Sequence, residues 1–222
     1  MAYVKRAPKL GCRPSVAYRG LMKSSYLVTV TGLVCALVGS AGIAEAKPTH
    51  HDGFYMQLTG GVGYYSSSAE AAGTEVSFSG TTLPVSLMLG GTLKPGLAIG
   101  GGFFVDTASS PTYKVNGMEQ AADISQYVVG LGLTVDYYVK PEGGTHIQGF
   151  VGWGGLETSS GGNAGGSDPT GLVLFVAGGH DWYVTDSWSG GVMGRLAYGS
   201  FSLNDVGYGT IAPAILGTLT YH

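Results

Sequence analysis

The sequence predicts an all-β protein, an eight-stranded antiparallel up-and-down transmembrane barrel behind a cleaved N-terminal signal peptide. Three observations carry that prediction. Between Gly53 and the C-terminus, apolar residues alternate with small or polar ones in eight separate runs. The gaps between runs are alternately long and short. In the clearest run, one face is bulky and the other is glycine-rich. Tyr127, Val129, Leu131, Leu133, Val135 and Tyr137 share the first face, and Val128, Gly130, Gly132, Thr134 and Asp136 share the second. A period of two sends these sets to opposite sides of a strand. A soluble sandwich would expose a face rich in Lys and Glu. A bulky face capped by aromatics, backed by glycine, instead suits lipid outside and a narrow lumen inside.

The first 46 residues stand apart from this pattern. Six basic residues (Lys5, Arg6, Lys9, Arg13, Arg19 and Lys23) precede an apolar stretch from Tyr26 to Ile43, and Ala44-Glu45-Ala46 fits a signal-peptidase site. Residues 1–46 are therefore expected to be removed, leaving Lys47 as the mature N-terminus, with Met22 as an alternative start. The competing reading is an uncleaved anchor, since about 18 apolar residues can just span a bilayer. Thr29, Thr31 and Ser40 dilute the stretch and weigh against it. Both cysteines, Cys12 and Cys35, fall in the leader, so the mature chain is expected to lack disulfides and cysteine metal sites. Cleavage leaves five basic and thirteen acidic residues, a net charge of −8. Nucleic-acid binding needs a basic patch, and this balance argues against it. Residues 47–222 suffice for one barrel domain, because a tilted spanning strand needs only about 9–11 residues.

The strands are expected in order. The first, Phe54 to Tyr65, puts Phe54, Met56, Leu58, Val62 and Tyr64 on one face. The second spans Thr82 to Leu93 and the third Leu97 to Asp106, joined at Lys94-Pro95-Gly96, where proline presets φ and glycine accepts φ > 0. The fourth, Tyr127 to Tyr138, turns at Lys140–Gly144 into the fifth, Thr145 to Leu156. The sixth, Gly171 to Val184, turns at Thr185-Asp186-Ser187 into the seventh, Trp188 to Gly199, and the last runs from Tyr208 to Tyr221. Ser66–Gly80, Thr107–Asp123 and Glu157–Pro169 are expected as long loops, with a shorter one at Ser200–Val206. Short turns on one rim and long loops on the other are what an up-and-down barrel in an outer membrane requires. Pro84 and Pro213 interrupt predicted strands and each removes a ladder donor, so both are expected at bulges or strand ends.

Three segments resemble the small eight-stranded outer-membrane barrels of the OmpA/OmpX type. Gly53–Tyr64 is similar to the family's opening strand. Gly178–Gly191, with its Asp181-Trp182 before a polar turn and Trp188-Ser189 after it, resembles the sixth-strand hairpin. Ile215–Tyr221 resembles the terminal strand, whose final aromatic the insertion machinery reads, although His222 follows that aromatic here. The resemblance implies a Gram-negative-type outer membrane, with both termini periplasmic and with membrane lipid and the insertion machinery as partners.

Asp106, Asp136, Asp181 and Arg195 are the ionisable residues placed inward, a candidate lumenal polar network. In a barrel this narrow, such residues are expected to fill the interior by pairing. A narrow pore or proton pathway is the alternative. Arg195 is the sole inward cation in this reading, and three carboxylates outnumber it. Catalysis on lipids would need Ser and His together at the outer rim. His146 and His180 fall near short turns instead and are expected as polar histidines at the membrane interface, so no catalytic set is assigned. His50-His51-Asp52 is expected to be linker, because adjacent side chains on an extended segment diverge. The glycine clusters, Gly90-Gly91 among them, open no helix and are expected to permit curvature and close packing rather than to bind phosphate or any cofactor. The expected role is structural or surface interaction through the loops. A narrow channel is the alternative, and a lipid-modifying enzyme the second alternative.

Overall fold

The computed structural model describes residues 53–222, except residue 72 and residues 121–123, 161–162 and 165–167. The predicted leader, Lys47 and His50-His51-Asp52 lie outside the described residues. The strands in chain order are β1 (Phe54–Ala71), β2 (Thr74–Lys94), β3 (Leu97–Ser109), β4 (Thr112–Val115), β5 (Met118–Gln120), β6 (Ile124–Tyr138), β7 (Thr145–Ser160), β8 (Asn163–Ala164), β9 (Thr170–Tyr183), β10 (Trp188–Leu203) and β11 (Val206–Tyr221). Eight of these are long, and they pair antiparallel in a ring, β1-β2-β3-β6-β7-β9-β10-β11. The ring closes because β1 pairs with both β2 and β11, with Met56 opposite Leu89 on one side and Tyr221 on the other. A closed ladder leaves the wall without an edge, which is the condition for strands to cross lipid.

The alternation read from sequence sorts the side chains as expected. Leu58, Val62, Leu131, Val151 and Leu196 are exposed on the outer wall, while Gln57, Thr59, Thr134, Phe150 and Arg195 are buried inside. Three strands each carry two outward aromatics ten residues apart: Phe54 and Tyr64, Tyr127 and Tyr137, Trp188 and Tyr198. At about 3.4 Å per residue and a tilt near 40°, ten residues span roughly 25 Å, the height of an outer-membrane apolar band. Inside, glycines let neighbouring backbones touch. A Cβ on Gly132 would sit 2.2 Å from the Val151 carbonyl oxygen, and one on Gly152 2.3 Å from that of Leu131.

The turns on one rim are tight. Gly96 adopts φ +79°, as its turn requires, and the Gly143 N–H bonds the Lys140 carbonyl at 2.8 Å. The opposite rim departs from expectation. Ser66–Gly80 is a continuation of the β1–β2 hairpin, paired out to Ala71 and Thr74, rather than a loop. Thr107–Asp123 contains the end of β3 and the β4–β5 hairpin, which turns at Asn116-Gly117 and docks on β2 through Val76–Ser79. Within Glu157–Pro169, β7 continues to Ser160 and pairs with β8. Ser200–Val206 reduces to a two-residue turn at Asn204-Asp205, both with positive φ, between the paired residues Leu203 and Val206. Polar strands beyond the lipid need no apolar face, so their alternation is invisible in hydropathy.

The prolines also differ from expectation. Pro84 pairs with Asp106 and Pro213 with Leu196, both in mid-strand. Towards β1 the ladder skips, from Gly60↔Val85 to Gly63↔Thr82 and from Gly63↔Ala214 to Ser66↔Ile211, with no change of register. The missing N–H groups face β1, so each proline deletes ladder bonds without a bulge.

Candidate functional site

Inward positions of the eight strands bring the four predicted ionisable residues into the lumen, all buried. They form two clusters rather than one network. In the first, Arg195 of β10 donates from Nη2 to both carboxylate oxygens of Asp106 of β3, at 2.5 and 2.7 Å. The guanidinium lies 5.5 Å from the ring centroids of both Phe104 and Phe175. Phe150 stacks on Phe175 at 5.0 Å and meets Phe104 edge-on at 5.3 Å. This aromatic layer shields the ion pair on one side and lowers the local dielectric, which strengthens the attraction. Nε and Nη1 of Arg195 have no hydrogen-bond partner.

The second cluster lies at the short-turn end and forms the barrel floor. Asp136 of β6 accepts from the Tyr55 hydroxyl at 2.6 Å and from Gln148 Nε2 at 3.4 Å. His146 Nδ1 lies 2.9 and 3.1 Å from the two Asp136 oxygens. Asp181 of β9 accepts from the Thr218 hydroxyl at 2.5 Å and the Thr220 hydroxyl at 3.0 Å, with Tyr138 at 3.5 Å. Gln148 also donates to Gln57 Oε1 at 2.8 Å. Tyr138 stacks on His146 at 5.0 Å, and below it the His222 ring meets Ser189 Oγ at 2.9 Å. These contacts link six of the eight long strands, β1, β6, β7, β9, β10 and β11, and the groups around the two carboxylates come from all of them but β10.

His146 corrects the sequence reading. It is 1% exposed inside the lumen, not a polar group at the membrane interface. The signal was present: Ile147 faces lipid, so parity turns His146 inward. Arg195 is likewise not the sole basic group inside, and Asp136 and Asp181 bond to the floor cluster rather than to Arg195. His180 remains on the outer wall, with Nδ1 2.9 Å from Thr145 Oγ1 and its ring 4.9 Å from that of Trp182. Among the described residues, no group of three or more His, Cys, Asp or Glu side chains is arranged to hold a metal. A shallow groove of about 640 Å³ on the outer wall is lined by Val62, Ile147, Pro213 and Ile215, with Gly178 and Gly194 at its base, and it opens on the lipid side rather than the lumen.

An apolar belt outside, buried polar clusters inside and a ring without an edge belong together in one architecture. The fold is that of the small outer-membrane β-barrels. No protein-family model and no curated protein matches the chain. Among solved structures, it is similar to OprG from Pseudomonas aeruginosa, at 12% identity and a TM-score of 0.48, covering 79% of this chain and 99% of that one. It is similar to Neisserial surface protein A at 16% identity and a TM-score of 0.43, covering 76% and 96%. It is also similar to the attachment invasion locus protein Ail of Yersinia pestis, solved with a heparin analogue, at 14% and 0.41, covering 75% and 99%. The outer-membrane barrel assignment rests on this chain's own closed ladder and apolar belt.

Proposed function

We propose that the barrel is a scaffold for surface interaction, with its short-turn rim and both chain ends in the periplasm and its long hairpins displayed outside. One observation carries this reading. On the long-hairpin rim, β4 and β5 extend the barrel wall sideways from the end of β2, which is itself paired to β1, and among the described residues β5 is an open edge. Met118, Glu119 and Gln120 of β5 are all exposed. Phe78 stacks on Tyr113 at 4.9 Å, which stiffens the β2–β4 junction. A rigid sheet with unpaired backbone groups along one edge is suited to accept an extended segment of a partner by strand addition. Glu70 and Glu75 face each other across the hairpin, and Glu119 shares their side of the sheet with Lys114 as the local cation. That balance favours a basic partner segment.

Catalysis and conduction are the rivals. The two strand histidines lie at the opposite end from this sheet, and one of them is locked between carboxylates. The test uses protein reconstituted in lipid vesicles, with an extended peptide of alternating Lys and Val as probe. Native protein is expected to bind it, and replacing residues 112–120 by a short Gly-Ser turn is expected to abolish binding while leaving urea stability unchanged. Absence of binding together with stepwise ion conductance in planar bilayers would replace this reading with the narrow channel.

A further inference from the structure

The floor cluster holds two buried carboxylates, and the hydroxyl and amide groups bonded to them are donors. Tyr55 and Gln148 donate to Asp136, and Thr218 and Thr220 donate to Asp181. A carboxylate can use several donors fully only when it is ionised, because a protonated one spends an oxygen as a donor itself. His146 sits between them. Its Nδ1, within hydrogen-bond distance of both Asp136 oxygens, carries a hydrogen. Its Nε2 is fully buried without a hydrogen-bond partner, and Asp181 Oδ1 lies 3.9 Å away. On a neutral ring, Nε2 would present a lone pair to a carboxylate in a site shielded from water. On an imidazolium, the same atom presents N–H, and one cation then stands between two anions.

We propose that His146 is a buried proton-binding site, held as the imidazolium between Asp136 and Asp181, and that this proton latches the floor of the barrel. The titratable groups around it are Asp136 and Tyr138 from β6, Asp181 and Tyr183 from β9, Tyr55 from β1 and His222 after β11. The latch joins β6, β7 and β9, and among the contacts at this end it alone would place a cation between the two carboxylates. Losing the proton sets Asp181 against the Nε2 lone pair and leaves two carboxylates with no cation between them, so the floor loosens as pH rises through the His146 titration. The sign follows from linkage: the folded floor holds a proton that a chain without the paired carboxylates releases, so the stabilisation is present at low pH and lost on alkalinisation.

The experiment is solution NMR of the refolded full barrel in lipid nanodiscs, with ¹⁵N-labelled histidine assigned by through-bond correlation. At pH 7 both ring nitrogens of His146 are expected to carry protons. Raising the pH should remove one of them. Over the same range, amide protection factors at residues 136–138, 146–148 and 180–183 should fall by about tenfold, the scale of one pKa unit of coupling. In His146→Gln that pH response should vanish while protection near Arg195 is unchanged. A neutral His146 ring at pH 7, or an undiminished response in the glutamine variant, overturns the proposal. Should the variant fail to fold, the ring signals of the native protein decide by themselves.

Discussion

Above the aromatic layer, one guanidinium answers one carboxylate. Below it, two carboxylates share an imidazole, two threonines, two tyrosines and a glutamine. The same lumen therefore contains a concentrated electrostatic contact and a distributed one. Arg195 and Asp106 join two strands through a single side-chain pair, with two guanidinium nitrogens left unpartnered. The floor divides its charge among groups from five strands, and each donor carries a fraction of the load. The difference teaches where a single substitution can do most harm. Removing either half of an isolated buried pair strands the other charge, whereas removing one donor of several leaves a carboxylate still solvated by the rest.

The largest effect is therefore expected at Arg195. Arg195→Leu leaves Asp106 buried and unpaired among Phe104 and Phe175, which costs about 3–5 kcal/mol. Urea unfolding in lipid vesicles measures it. Replacing both partners, Arg195→Leu with Asp106→Leu, should recover most of that loss, because an apolar pair in place of a buried ion pair is often neutral. Lys94→Leu, at an exposed strand end, should stay within about 0.5 kcal/mol and serves as the reference. If Arg195→Leu falls close to Lys94→Leu, the upper lumen is a hydrated pore, and the contrast between the two clusters collapses.

On the floor, Tyr55→Phe is expected to cost about 1.5–3 kcal/mol, the value of a hydrogen bond to a charged group. It deletes the 2.6 Å bond to Asp136 without changing the packing of the ring. His146 and Gln148 remain on the same carboxylate, which is why the loss should be smaller than at Arg195. A cost equal to that of Arg195→Leu, read in the same titration, would show that the floor also depends on one contact.

How much of this was legible in the sequence follows from the range of each interaction. Alternation is local, so the eight spanning segments and the faces of Asp106, Asp136, Asp181 and Arg195 could be read directly. The pairing of those residues could not. Tyr55 and Asp136 are 81 positions apart, Gln57 and Thr220 are 163, and only the barrel's closure brings them together. His146 was within reach of parity, but its nearness to a turn suggested an interface instead. The β4–β5 hairpin was also signalled, by Asn116-Gly117, the dipeptide that suits a two-residue turn with positive φ at both positions. The places of Pro84 and Pro213 were not legible, because their cost depends on which neighbour the absent N–H faces, and hydropathy carries no trace of that.

Within the lumen the smallest effect is expected at Thr220, and it sharpens the comparison most. Its hydroxyl donates to Asp181 at 3.0 Å and accepts from Gln57 Nε2 at 3.3 Å. Thr220→Val keeps the shape and β-branching of the side chain while deleting both bonds. Asp181 retains Thr218 at 2.5 Å, and Gln57 retains Gln148 through its other end. Asp181 keeps a donor while the neutral Gln57 Nε2 loses its acceptor, so the cost should be about 1 kcal/mol, the low end for one unpaired neutral group. Combining Thr220→Val with Thr218→Val then tests distribution itself. If the floor shares its load, the first deletion is mild and the second is worse than additive, because Asp181 has by then lost both threonine donors. Strict additivity in the unfolding titration would mean that each donor acts alone, and that the floor is a set of independent contacts rather than a shared one.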